Sequence, residues 1–325
     1  MKKLFLLPSR KLSVTIPIVL LVGFITGLFV ETTPLKKHIL LVTVLMIYPT
    51  MIGFKLKEIA NFSHGKLILT AMGINFIVIP AVAYLLGTTF LLADPQLFAG
   101  LAIAALLPTA NMTIAYTMMA KGNVAAAIKL TVTGLILGSL LAPWYLLVMV
   151  GQYIHIDILA TLKTILMVIM LPLVLGITTY SLLLRKMTEE EFRKSVKPFL
   201  PAASAWGMVY IIFTSISMNA QRIIDSMNIF VVAFMVQILF YAINYLISIS
   251  VGRLFFNQSD AYALVLGTSL RNLSTAIGLA VSSFGANAAL MVSLAFLIQG
   301  QAAAMFISLN TKYHFLSSVH QLKAK

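Results

Sequence analysis

The chain has no cysteine, which excludes disulfides, thiolate metal sites and cysteine nucleophiles. It is also poor in charge. Only 10% of its 325 residues are Asp, Glu, Lys or Arg, and only 9 are acidic, while 60% are hydrophobic. Soluble domains carry about 25% charged residues, so a chain with a mean hydropathy of +1.00 is not a soluble globule, a disordered segment or a coiled coil. The five histidines (His38, His64, His155, His314 and His320) show no helix-face or zinc-ligand spacing. No acid–base or metal constellation falls in the apolar segments, so an enzyme is not expected. Nor is a nucleic-acid partner or an obligate protein partner: the net charge of +14 reads instead as Lys and Arg left on the inner side of a membrane. The start of the chain, Lys2 and Lys3 before Leu4 to Pro8, imitates a signal peptide. Lys11 and the missing small-residue cleavage site favour a cytoplasmic tail.

What the chain does have is long apolar runs. A helix crosses the hydrocarbon layer with about 20 residues, and ten such stretches stand at 13–31, 38–56, 66–88, 95–119, 124–150, 157–184, 199–217, 226–250, 260–283 and 288–309. They are continuous, not alternating, which disfavours a β-barrel. With the N-terminus inside, 18 of the 23 basic residues fall on inner segments, Lys129 among them. Lys36, Lys37, Lys163 and Arg222 fall outside, and Arg271 sits in the ninth stretch. That bias predicts a multi-pass cell-membrane protein with both termini cytoplasmic, in a prokaryotic plasma or inner membrane. The lipid bilayer is the expected partner.

Ten spans divide into five and five, and an odd number per half inverts the second half relative to the first. The predicted fold is all-α: one membrane domain over 1–325, with inverted repeats at about 13–151 and 155–310. Both halves carry an interruption at the same place. Span four holds Leu107-Pro108-Thr109-Ala110-Asn111-Met112-Thr113, and span nine holds Gly267-Thr268-Ser269-Leu270-Arg271-Asn272-Leu273-Ser274-Thr275. Pro108 lacks a backbone donor and Gly267 permits a bend. Freed backbone groups must be satisfied by protein, ion or water, so paired breaks point to a central site.

Arg271 is the residue of most interest, because a permanent cation within a membrane needs a partner. No acid lies in the middle of a span to serve it. Three readings stay open: it binds an anionic solute, it bridges the broken helices in place of a bound cation, or it snorkels to a surface. Without a buried acid no proton relay is expected here, whereas sodium can be held by neutral oxygens. Candidate substrate-contacting residues are Arg271, Asn272, Thr109, Asn111, Thr113, Ser269 and Asn75. Gln237 and Asn244, seven apart, share a helix face, and Gln299 and Gln301 in span ten read as interhelix hydrogen-bonding groups. Trp144-Tyr145 reads as an interfacial aromatic belt.

These segments resemble the bile acid:sodium symporter superfamily over essentially the whole length. Pro108 to Thr113, then Tyr116 and Ala120-Lys121-Gly122-Asn123-Val124-Ala125, are similar to that family's proline-led break. Arg271-Asn272, with Leu279-Ala280 after them, stand where the family has Gln-Asn. The resemblance implies crossing broken helices in spans four and nine, transport of small organic anions, and Na+ as coupling ion with no other cofactor. It implies a sodium site at Asn111, Thr131 and Thr133. Two departures weaken the coupling: a family glutamate falls on Gly267, and a glutamine is replaced by Arg271. The run Met46-Ile47-Tyr48-Pro49-Thr50-Met51 resembles the arsenite-efflux branch instead. That branch's cysteine would fall near Thr109 and its glutamate near Leu273, so thiolate chemistry with arsenite is not implied. The function expected is a secondary active carrier of a small organic anion working by alternating access. The alternative is an arsenical or other oxyanion efflux permease of the same superfamily.

Overall fold

A computed structural model describes residues 5, 6, 8, 12–53, 64–108, 111–154 and 158–316. Among these the fold is all-helical, with no β-strand beyond one isolated bridge. Helix α1 spans Leu12–Phe29 and α2 Ile39–Met51. Helix α3 runs Gly65–Phe90, α4 Pro95–Leu106, α5 Asn111–Met119 and α6 Val124–Val150. Helix α7 comprises Ile158–Ile165, a π-turn at Leu166–Met170, and Leu171–Leu183. Helix α8 spans Glu189–Met218, α9 Ala220–Asp225 and α10 Met227–Phe255. The last three are α11 Gln258–Ser269, α12 Leu273–Phe284 and α13 Ala286–Tyr313.

Six of these helices (in α3, α6, α7, α8, α10 and α13) are long and apolar enough to cross a membrane. The stretches expected at 95–119 and 260–283 are each two shorter helices with an irregular join, α4–α5 and α11–α12. The half-helices α4, α11 and α12 each start on a side-chain cap, which offsets the unpaired N–H groups of a first turn. Asp94 accepts from Gln96 N–H (3.2 Å) with Pro95 at the first helical position. Asn257 accepts from Asp260 N–H (2.9 Å), and Asn272 from Thr275 N–H (3.3 Å). Asn123 opens α6 in the same way, accepting from Ala126 N–H at 3.0 Å.

Packing follows two groups. Helices α1 and α2 both pack on α8 and α2 also packs on α7, and α3–α6 and α10–α13 form the other bundle, with α2·α12 and α8·α13 contacts between the groups. Helices α4 and α11 lie at the centre: every residue of Leu97–Leu106 and of Ala261–Ser269 is buried. A helix apolar all round belongs in such an interior. Small residues let backbones close in. A Cβ at Gly100 would meet Met291 Cβ at 2.8 Å, and one at Gly267 would meet Leu130 Cδ1 at 2.7 Å. The perimeter exposes large apolar side chains: α3 turns Leu69, Ile77 and Leu85 outward while burying Leu67, Ala71, Ile74 and Asn75. A soluble monomer does not carry apolar surface on this scale.

Two details differ from the sequence-based expectations. Lys129, counted with the inner segments, lies within α6 and is buried at 2% exposure. Trp144 is exposed as a belt residue would be, but Tyr145 turns inward and donates to the carbonyl of Phe76. The reason is Pro80: it has no N–H for the carbonyl four residues back, and α3 opens into a π-turn at Ile74–Val78 just before it. The Tyr145 hydroxyl takes the freed carbonyl. Residues 54–56, the end of the second predicted stretch, lie outside the described residues.

Candidate functional site

The two interruptions meet. Pro108 and Arg271 form an antiparallel bridge, and Asn272 N–H donates to the Leu107 carbonyl at 2.8 Å. Each break thus gives the other the backbone partner that its own helix no longer supplies. The span-ten helix closes the other edge of the Arg271 backbone. Gln299 Oε1 accepts from Arg271 N–H (2.6 Å), and Gln299 Nε2 donates to the Arg271 carbonyl (3.1 Å). Tyr241 of α10 donates to the same Oε1 at 2.9 Å and holds the amide in that orientation.

The Arg271 side chain is 0% exposed. Its Nη1 donates to the Ala105 carbonyl at 3.1 Å, and its Nη2 donates to Asn75 Oδ1 at 2.8 Å and to the Thr268 carbonyl. Ala105 and Thr268 lie in the last turns of α4 and α11. The guanidinium therefore caps two half-helices at their negative ends, where orphan carbonyls collect and a cation is stabilised. This explains how a lone arginine is tolerated at depth. Among the described residues none of its partners is a carboxylate, so its full positive charge stays formally uncompensated. The snorkelling geometry is not seen.

Other polar groups crowd the same place. Asn75 Nδ2 donates to the Gly267 carbonyl (3.2 Å), Thr113 Oγ1 to the Leu266 carbonyl (3.4 Å), and Thr268 Oγ1 to Ser248 Oγ (2.7 Å). Two buried polar atoms at the crossing, Ser269 Oγ and Arg271 Nε, have no partner among the described residues. Orphaned polar atoms in an interior call for a ligand or water. The second halves α5 and α12 begin beside the crossing, so two positive helix ends adjoin the region whose negative ends Arg271 already covers.

Of the sequence-predicted residues, Arg271, Asn272, Asn75, Ser269 and Thr113 come together at the crossing. Thr109 lies outside the described residues, as does the side chain of Asn111, whose backbone opens α5. Thr131 and Thr133 lie in α6, where the Thr131 hydroxyl donates to its own helix at the Ala127 carbonyl (2.8 Å). Gln299 is the interhelix hydrogen-bonding group expected of it, but sequence reasoning missed that it clamps Arg271, and missed the Ala105 and Thr268 carbonyls and the support from Tyr241. It also missed two polar clusters at helix starts. Asp94 Oδ2 accepts from Arg222 Nη2 (2.8 Å) and Asn287 Nδ2 (3.1 Å), and Asp260 Oδ1 accepts from Asn123 Nδ2 (2.7 Å). The Asp94-Pro95 pair, a cap before a first-position proline, was the available signal for the first of these.

The two interrupted helices thus cross at a polar, cationic centre inside an apolar bundle. The profile of the Sodium Bile acid symporter family matches residues 38–226, more than half of the chain, and the protein belongs to that family. It is accordingly a multi-pass membrane protein of a transporter family. The chain is also 26% identical over 114 residues to the uncharacterized protein YbaS of Bacillus subtilis (strain 168). That match spans 35% of this chain and 37% of YbaS.

The family name implies sodium, and the donor set can be tested against it. Thr131 and Thr133 stand two residues apart on one helix, a spacing that sends side chains to opposite faces. A single ion does not draw on both hydroxyls. At the crossing the oxygens suited to a small cation, those of Asn75, Ala105 and Thr268, are bonded to the guanidinium. The residues present do not fit a sodium ion there.

Proposed function

We propose that the protein is a secondary active carrier of a small organic anion, working by alternating access around the crossing of α4–α5 and α11–α12. In this reading the ten apolar segments are spans, arranged as two inverted repeats at about 13–151 and 155–310 with both termini cytoplasmic. The single observation that carries the substrate charge is Arg271: a buried guanidinium with neutral partners, beside two helix N-terminal ends, makes a positive interior that an anion would neutralise. The anionic group sits at the crossing, close to Arg271, Asn272, Ser269, Asn75 and Thr113 and to the segment carrying Thr109 and Asn111. Sodium coupling is weak or absent.

The experiment is uptake by proteoliposomes from a panel of small carboxylates and sulfonates, with arsenite and arsenate included, for wild type and Arg271→Ala. Uptake of an organic anion that falls at least about tenfold in the variant, a loss of about 1.4 kcal/mol, is the expected result. Unchanged uptake and affinity in the variant would remove Arg271 from the mechanism. Transport confined to the arsenicals would establish the oxyanion-permease reading in its place.

A further inference from the structure

Coupling cations in carriers of this architecture are held by unwound backbone carbonyls and half-helix C-terminal ends. At this crossing those groups converge, and a side chain of the protein itself fills their centre. Three neutral oxygens from three elements, the Ala105 carbonyl of α4, the Thr268 carbonyl of α11 and Asn75 Oδ1 of α3, all accept from the Arg271 guanidinium. The side chain is wholly buried, its backbone N–H and carbonyl are both held by Gln299, and the neighbouring Asn272 N–H donates to the Leu107 carbonyl. We infer that Arg271 is a tethered replacement for a coupling cation, so that the carrier is built for sodium-independent transport despite its family.

The chemistry separates the two arrangements. A free ion binds and leaves, so its gradient drives the cycle, and its binding stabilises the closed crossing only when the ion is present. A tethered guanidinium supplies the same charge to the same oxygens permanently. It neither leaves with the solute nor carries energy from a gradient. The two half-helix C-termini are then bridged at every stage of the cycle, and the anion finds its counter-charge without prior ion binding. Sodium has no second place among these oxygens while the guanidinium remains, because like charges at contact distance repel.

The inference rests on the carrier reading, but its central test needs no substrate. Purified full-length protein in detergent is heated in sodium chloride against choline chloride at equal ionic strength, and separately in low-millimolar guanidinium chloride. Wild type is expected to show the same Tm in sodium and choline. Arg271→Ala vacates the oxygens, and its lowered Tm is expected to recover by about 3 °C or more, saturably, with guanidinium or sodium but not choline. Where Arg271→Ala does not accumulate, Arg271→Gln is read with sodium against choline alone, since its side chain removes the charge but leaves no room for a guanidinium ion. A saturable sodium-specific rise in the wild-type Tm would overturn the inference. So would a folded variant indifferent to both guanidinium and sodium. Uptake gives the second arm: wild-type transport in sodium-free medium should match that in sodium within about twofold, and transport abolished without sodium overturns the inference while leaving the carrier reading intact. Cation-dependent recovery of Arg271→Ala in a protein that moves no anion would support Arg271 as a tethered cation and overturn its consequence for transport together with the carrier reading.

Discussion

Asn75 Oδ1 accepts from Arg271 Nη2 at 2.8 Å, and Asn75 Nδ2 donates to the Gly267 carbonyl at 3.2 Å. One amide thus satisfies both the cation and a carbonyl one turn before it. A carboxylate at this position would accept the guanidinium equally well, yet it would cancel the charge and lose the donor. The choice of amide over acid keeps the crossing positive.

Asn75→Asp therefore tests the charge without emptying any space. The variant gains an ion pair with Arg271 but leaves the buried Gly267 carbonyl without its donor, so its Tm is measured beside its uptake to separate the charge from lost stability. Its anion uptake should fall at least about tenfold, equivalent to about 1.4 kcal/mol of lost attraction. Initial rates in proteoliposomes measure this directly. Wild-type rates in Asn75→Asp would mean that the solute does not sense the Arg271 charge.

Gln299 and Tyr241 act on the same backbone but not equally. Gln299→Leu deletes both hydrogen bonds to the Arg271 peptide groups and leaves them buried, which should cost about 2–4 kcal/mol. Tyr241→Phe removes one donor from an oxygen that still receives the Arg271 N–H, so about 1 kcal/mol is expected. Thermal unfolding of the two variants in one detergent ranks them. Equal losses would show that the clamp is not made by Gln299.

The helix runs and their two interruptions were readable because proline, glycine and a lone arginine break an otherwise uniform apolar pattern. The antiparallel meeting of Pro108 with Arg271 was anticipated only through a family resemblance. What answers the Arg271 charge was readable only in kind: a bridge between the broken helices was one of three open readings, and Asn75 was already a candidate, but the particular carbonyls were not. Its strongest partners include carbonyls of Ala105 and Thr268, and every residue carries a carbonyl, so composition holds no trace of which one is used. Gln299 and Gln301 looked alike in sequence, yet two residues around a helix is a turn of about 200°, and only Gln299 faces the crossing while Gln301 is exposed. Tyr145 was misread for a similar reason. Its partner, the Phe76 carbonyl, becomes available through Pro80, on a different helix and 65 positions away in the chain. Asn244 stays unexplained: both its amide atoms are buried with no partner among the described residues.

The contact between Gly278 of α12 and Thr43 of α2 joins the two helix groups. A Cβ at Gly278 would run into Thr43 Cγ2, closer than side chains approach, and would lie 3.2 Å from Thr43 Oγ1. Gly278→Ala should cost about 1–3 kcal/mol by overpacking. Thr43→Ala removes both obstructing atoms, and the double variant should recover most of the loss. Recovery of Tm is the readout, and a purely additive pair would show that the two residues do not share this contact.

The ends of the bundle make the last prediction. Asp94 at the start of α4 holds Asn287 at the start of α13, and Asp260 at the start of α11 holds Asn123 at the start of α6. The pattern is reciprocal: each interrupted stretch is tied at its beginning to the helix that follows the other one. Asp94 is 5% exposed and also caps its own helix and pairs with Arg222, whose side chain is 53% exposed. Asp94→Ala loses a cap worth about 1 kcal/mol and strands buried donors, for about 2–4 kcal/mol in all. Arg222→Ala removes only a half-exposed ion pair and should cost under about 1 kcal/mol, less at high salt. Asp94 and Asn287 should couple in a double-mutant cycle by about 1 kcal/mol, and so should Asp260 and Asn123, while Asp94 with Asn123 should be additive because the two belong to separate clusters. Coupling confined to one end would mean that only that end locks the two interrupted stretches to each other.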